Sequence, residues 1–443
     1  MQIVFFVAAF LLCVLRGISV TDETWFFQVV CRMDQGEVLY RDIFFGVTPI
    51  SAHLARFFVW LFGEQLIVAK ALMAFVFALV VHVTQKIGRK MGIQQGIFLF
   101  LPLALFTFSE KNMILSGSLY NLLANLFFLT SFLFALQEKW GRAALLAALC
   151  FCTKQTFGLW AFVSLASGAI CLGKKRELYS IGAIFILTLC SLAVFLYLSD
   201  GLQSFIEYGI VNKKSYLIHG KISYFFSENY RCYLAPLFFL PFVAYLSLLY
   251  VKTVRKEWIL LFLFLTADLL NVYPRADRDH MSIPLPLELI AILLSWRGVQ
   301  EALVSKVFSR LLCVAMALLL FAFYIQPFVK GATVLSSLPH FRGIVVSAEF
   351  EQKMEDKMRR ILAAENGAKI VFMNQDASIY YLATGLSNPL PYDCPSPTSM
   401  GLYGQRELAS QFAQKEVRIF IEDQEVPWNS YPEAKLWVER RFD

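Results

Sequence analysis

The sequence predicts a polytopic α-helical membrane protein ending in a small extramembrane α/β domain. Three observations carry that reading. Of 443 residues, 58% are hydrophobic and only 16% are charged, whereas a soluble domain carries nearer a quarter charged residues. Apolar runs long enough to cross a membrane recur up to about residue 330, and the short loops after every second run hold the Lys and Arg. From Gly331 onward the composition turns to Pro, Asn and charged residues, with no further apolar run.

Residues 2–20 have the apolar core of a secretory signal. No Lys or Arg precedes that core and no small-x-small cleavage site follows, so the segment reads as a retained first span. Further runs follow at 64–85, 93–109, 116–136, 142–153, 156–173, 178–198, 232–251, 257–273, 281–296 and 308–328. That makes about eleven transmembrane helices, some short enough to be tilted or broken. The loops with Lys86, Arg89 and Lys90; Lys139 and Arg142; Lys174, Lys175 and Arg176; Lys252, Arg255 and Lys256; and Arg297, Lys306 and Arg310 are cytoplasmic by the positive-inside rule. The N-terminus is then cytoplasmic. The first loop, 21–63, faces outward, as do the alternate loops and everything after about 329.

The net charge of +7 is accounted for by these topology-setting loops and by anionic headgroups, and it does not point to nucleic acid. The nine cysteines form no CxxC pair. Cys150-Phe-Cys152 has no histidine cluster beside it, so the cysteines read as small core hydrophobes and not as zinc ligands.

Two domains follow: a transmembrane module over 1–330, including the outer loop, and an outward-facing domain over 331–443. In the tail, Ala348–Glu365 patterns as an amphipathic helix and Lys369–Met373 as a strand. Gln405–Lys415 patterns as a second helix and Val417–Ile421 as a second strand. The tail contains no glycine-rich phosphate loop and no catalytic motif, and reads as a lid or docking surface.

The costly polar residues fall on the outward side. Asp22 and Glu23 follow the first span, and Glu110 and Lys111 end the third. Lys154 and Gln155 separate the fifth from the sixth. Lys213, Lys214, His219 and Lys221 lie in loop 199–231, and Arg275, Asp277, Arg278 and His280 follow the ninth. Singly, most have an ordinary explanation. Lys111, Lys213, Lys214 and Arg278 read as headgroup contacts, Glu110 as a cap or partner of Lys111, and His280 as a satisfied polar residue. Lys154, between two apolar runs, needs a partner or an aqueous cavity, and Asp268, inside the ninth span, reads as a structural partner for a basic group. As a one-sided set, acids suited to general-base work and cations suited to phosphate indicate a site.

Asp22-Glu23 after the first span, then Gly36-x-x-Leu39-Tyr40-Arg41-Asp42-Ile43-Phe44 and Thr48-Pro49, resembles the first outer loop of GT-C glycosyltransferases. The branch is that of protein O-mannosyltransferases and the lipid A aminoarabinose transferase. Lys154-Gln155, the run Tyr273-Pro274-Arg275-Ala276-Asp277-Arg278-Asp279-His280, and Ser378–Gly385 with Asn388-Pro389 are similar to the same branch. The resemblance implies a GT-C-like fold, a polyprenyl-phosphate sugar donor, and a lipid, glycan or protein acceptor bearing a hydroxyl. It implies Asp22 as the base, Glu23 as its orienting neighbour and Glu110 as a second acid. Lys154, Arg275, Arg278 and His280 would hold the donor phosphate. Tyr40, Arg41, Asp42, Gln155 and His219 would line the substrate site. No cofactor is implied, and a divalent metal is possible without being expected. Loop 21–63 should form two interfacial helices, with Phe44, Phe45, Phe57, Phe58, Trp60 and Phe62 at the headgroup level. The location implied is a bacterial inner membrane.

The main rival is a transporter or flippase for lipid-linked sugars. Such proteins usually show internal repeats and charged, broken helices at midplane, and neither pattern is found in this sequence. An inert scaffold leaves the one-sided acids and Lys154 without a purpose. An O-antigen ligase or polymerase would lack the Asp-Glu pair directly after the first span.

Overall fold

The structure is a computed structural model. It describes residues 2–20, 22–93, 119–211, 256–272, 280, 283–295, 331–365, 369–373, 376–395 and 417–420, with a few single positions between 314 and 329. Two compact units make up the chain, and each gathers several segments. One comprises Met1–Cys13, Met73–Leu192 and Ile222–Gln326. The other comprises Val14–Leu72, Ala193–Lys221 and Pro327–Asp443.

Most expected spans appear as helices: α1 (Gln2–Leu15), α4 (Leu66–Met91), α5 (Leu119–Leu136), α6 (Trp140–Phe151), α7 (Gln155–Cys171), α8 (Lys175–Leu198), α10 (Lys256–Leu270) and α11 (Leu285–Ser295). The spans expected at 93–109, 232–251 and 308–328 lie almost wholly outside the described residues. Among the described residues, α4, α5 and α8 are long and apolar enough to cross a membrane by themselves.

In the first unit α5, α6, α7 and α10 pack against one another. Phe128 meets Phe264 at 5.2 Å and Phe157 at 6.3 Å between ring centroids, and Phe132 meets Phe264 at 5.0 Å. Between apolar helices, short polar side chains add hydrogen bonds that lipid cannot offer. Ser131 Oγ donates to Ala143 O at 2.8 Å, Ser164 Oγ to Leu263 O at 3.1 Å, and Asn125 Nδ2 to Ile283 O at 2.9 Å. Glu138 pairs with Lys174 at 3.4 Å and also with Lys256. Three of the basic loops therefore meet at one end of the bundle.

The second unit holds loop 21–63, called the outer loop for its expected side, and the tail. Loop 21–63 forms two helices, α2 (Asp22–Asp34) and α3 (Ile50–Phe62), but of the two only α3 exposes a set of large apolar side chains. It exposes Phe57, Trp60, Leu61 and Phe62, whereas α2 is mostly buried. Phe44 and Phe45 are buried as well. Phe44 stacks near Tyr208 at 4.7 Å and Tyr392 at 5.4 Å, and its backbone N–H donates to Pro391 O at 2.7 Å. Phe44 is a core residue because Tyr208 and the tail cover it, and Phe45 because it packs among Trp25, Phe26 and Tyr40.

After a short α9 (Leu202–Ile206) and a π-helical turn, Glu207–Val211, the unit continues in the tail. There β1 (Thr333–Leu335) pairs antiparallel with β2 (Val345–Ser347), and α12 (Ala348–Glu365) follows with the bounds its periodicity indicates. β3 (Lys369–Phe372) pairs in parallel with β4 (Val417–Phe420), Lys369 opposite Val417. Parallel neighbours need a crossover, and the helix expected at Gln405–Lys415 lies within it but outside the described residues. α13 (Ala377–Thr384) packs on both α2 and α12.

Among the described glycines, Gly158 sits closest to a neighbouring backbone. A Cβ built there would lie 2.1 Å from the Phe151 backbone, whereas one at Gly182 would meet nothing within 4 Å. Gly158→Ala should cost ~3 kcal/mol or more through overpacking. The measurement is thermal unfolding in detergent, with Gly182→Ala expected to stay near wild type.

Candidate functional site

The outer loop begins with two carboxylates that the helix separates. Asp22 and Glu23 are the first two residues of α2, where the helix dipole favours negative charge. Successive residues point about 100° apart around a helix, so the two side chains diverge. Asp22 is exposed, whereas Glu23 is only 2% exposed.

Glu23 Oε1 meets the Lys70 ammonium at 2.6 Å, and Oε2 accepts the Ser19 N–H at 2.9 Å. Lys70, near the start of α4, is fully buried. Burial raises the Glu23 carboxyl above the ordinary range, and Lys70 draws it part of the way back. This pair fixes the N-terminus of α2 and so sets where Asp22 stands.

Near the other end of α2 the Arg32 guanidinium is buried among oxygens. It donates to Asp393 Oδ1 at 2.9 Å, to both Glu37 oxygens at 2.6–3.1 Å and to Asp42 O at 3.3 Å. Asp393 also accepts from Asn388 Nδ2 at 2.8 Å, and its own carbonyl accepts from Ser378 Oγ at 2.6 Å. Burial raises the Asp393 carboxyl, and Arg32 opposes that shift.

Tyr40, Arg41 and Asp42 form a turn. Tyr40 has φ of 72°, a strained value for an aromatic residue, and is buried with its hydroxyl donating to Val47 O at 2.5 Å. Asp42 Oδ2 accepts the Val38 N–H at 2.8 Å, and Arg41 binds Asp42 at the exposed edge. Through its hydrogen bond the Arg41 side chain holds the Asp42 carboxyl below the usual range. Tyr40 and Asp42 thus shape the loop, and Arg41 is the member of the trio most open to solvent.

Lys154 and Gln155 lie in the first unit, at the N-cap and first residue of α7. Lys154 finds the partners its setting requires: Asn121 Oδ1 at 2.6 Å, and the Phe157 and Tyr120 rings at 4.9 and 5.7 Å. His280, in the same unit, is half-buried, and its carbonyl accepts the Ile283 N–H at 3.1 Å. Asp268 is fully buried, and neither of its carboxylate oxygens has a hydrogen-bond partner among the described residues. Glu110, His219, Arg275 and Arg278 lie outside the described residues.

Sequence reasoning missed Lys70, Arg32 and Asp393. Lys70 had a signal, since a lysine inside an apolar run needs a partner for the same reason as Lys154. Nothing local marks Asp393, whose partner lies 361 positions away. The described residues also bring together one group of metal-ligand type, Cys31, Glu64 and His340.

Among solved structures, ArnT from Cupriavidus metallidurans bound to undecaprenyl phosphate is similar at TM-score 0.63 and 13% identity. The match covers 94% of this chain and 88% of that one. The apo state of the same enzyme aligns at TM-score 0.63 and 12% identity, over 94% and 89% of the two chains. The Archaeoglobus fulgidus oligosaccharyltransferase tethered with an acceptor peptide aligns at TM-score 0.54 and 11% identity, covering 99% of this chain and 71% of that one. The fold is GT-C. At these identities the likeness concerns the fold alone. No family model and no curated protein matches the sequence.

Lys70→Met should leave Glu23 buried without its counter-charge and cost ~3–5 kcal/mol. The double variant Glu23→Gln, Lys70→Met should recover most of that loss. Thermal unfolding of wild type, Lys70→Met, Glu23→Gln and the double variant checks the cycle, and a Lys70→Met protein as stable as wild type would show that the pair does not anchor α2.

Proposed function

We propose that this protein is a membrane glycosyltransferase that moves a sugar from a polyprenyl-phosphate carrier to a hydroxyl of a lipid, glycan or protein. The observation that carries the reading is Asp22, an exposed carboxylate at a helix N-terminus whose buried neighbour fixes the helix, in a chain with a GT-C fold. The neighbour bound to undecaprenyl phosphate, matched over 88% of its length, supports a lipid-phosphate donor.

In this reading Asp22 takes the proton from the acceptor hydroxyl as the oxygen attacks the anomeric carbon. The bond from that carbon to the phosphate oxygen breaks, the lipid phosphate leaves with its electron pair, and the configuration inverts. Lys154, Arg275, Arg278 and His280 are assigned to the phosphate, where negative charge grows. Glu110 is assigned as a second acid, and Arg41, Gln155 and His219 as substrate contacts. Glu23, Tyr40 and Asp42 hold the loop in place. The reaction is placed on the outer face of a bacterial cytoplasmic membrane, with the N-terminus inside and residues 331–443 outside.

The test is sugar transfer by the purified protein in nanodiscs, using a panel of radiolabelled polyprenyl-phosphate sugars with envelope lipid and glycan fractions. Asp22→Asn should lower turnover ~100-fold or more while donor binding is retained. Undiminished transfer by Asp22→Asn would remove Asp22 from the mechanism. Donor movement across liposomes without transfer would replace the enzyme by a flippase.

A further inference from the structure

We propose that Cys31, Glu64 and His340 form a binding site for one zinc-class divalent ion that clamps the outer loop to the tail. One ligand atom from each residue lies within 4.8 Å of the others. Sulfur, nitrogen and oxygen donors at that spacing suit a borderline metal such as zinc, whose tetrahedral ligands sit roughly 3.5 Å apart. Small side-chain rotations close the difference.

Each ligand is positioned by its own element. Glu23, Phe27 and Cys31 recur at i, i+4 and i+8 on the buried face of α2. Glu64 follows Gly63, whose φ of 100° ends α3 and whose N–H bonds to Val59 O at 2.7 Å. His340 sits in a turn of the tail at φ 61°, its carbonyl accepting the Leu66 N–H at 2.8 Å and its ring set edge-on to Phe27 at 6.3 Å.

The histidine supplies the second observation. Its Nδ1 lies 2.8 Å from Glu64 O, and a carbonyl only accepts, so Nδ1 carries the proton and Nε2 keeps its lone pair. A ring nitrogen tied to a backbone carbonyl, with the other left for a metal, is the usual support for a ligating histidine. Cys31 is buried, while Glu64 and His340 are partly exposed, which leaves a fourth position open to water. Cys31 lies nine residues beyond Asp22, about 13 Å along the helix axis, so this site and the proposed base can fail independently.

The test strips the full-length protein in nanodiscs with chelator and titrates it with Co²⁺ as a spectroscopic probe, followed by Zn²⁺ in competition. One equivalent should bind with a thiolate-to-cobalt charge-transfer band. The band should vanish in Cys31→Ser, and affinity should fall more than 10-fold in His340→Gln and in the partly exposed Glu64→Gln. Zinc should raise the melting temperature of the wild type and not of the variants. If no band forms on the wild type, or if it survives in Cys31→Ser, the site does not exist as proposed. Should Cys31→Ser fail to fold, the wild-type band and the Glu64→Gln affinity decide the matter.

Discussion

A charge taken out of water must meet its opposite, and the outer loop depends on that constraint at both ends of one helix. Glu23 meets Lys70 at 2.6 Å at the start of α2, and Arg32 meets Asp393 at 2.9 Å near its end. Leaving either partner alone costs several kcal/mol, so the helix has little freedom to shift. Asp22 needs such a mount because it is itself exposed. In the proposed mechanism Asp22 meets a mobile acceptor, and the pair made by its immediate neighbour, Glu23, holds the helix that carries it.

The sequence shows periodicity and length well. The helix Ala348–Glu365, the two strand-like runs of the tail and most of the spans follow from repeating patterns that involve only nearby residues. It shows pairing poorly. Phe44 and Phe45 look like interfacial anchors by residue type, because an aromatic side chain suits a headgroup layer and a protein core equally. For Phe44 the tail makes the choice by folding over it, and for Phe45 the aromatic residues of its own loop do. Cys31 fails a test built on short Cys spacings, since its companions come from positions 64 and 340. Glu23 presents the same difficulty. Its partner Lys70 lies 47 positions away, and nothing beside Glu23 marks it.

The first unit is held by other means. Among the described residues, one cluster of its charges lies at a loop end around Glu138, and its interior holds edge-on and tilted phenylalanine pairs, a glycine pressed against a neighbouring backbone, and hydroxyls bonded to carbonyls of facing helices. Where lipid is as apolar as leucine, contact has to come from shape and from the few available hydrogen bonds. α8 takes little part in that packing, with only 17% of its most apolar stretch buried.

The partners Arg32 and Asp393 stand 361 positions apart. A chain made from its N-terminus produces the guanidinium early and its carboxylate near the end, so during synthesis the outer loop has both helices but lacks its clasp. Closing so long a loop is slow but adds little to its entropic cost, which grows only with the logarithm of length. The loop therefore gains this clasp only once Asp393 has been made, and a chain that stops short of that residue leaves the Arg32 guanidinium without that carboxylate.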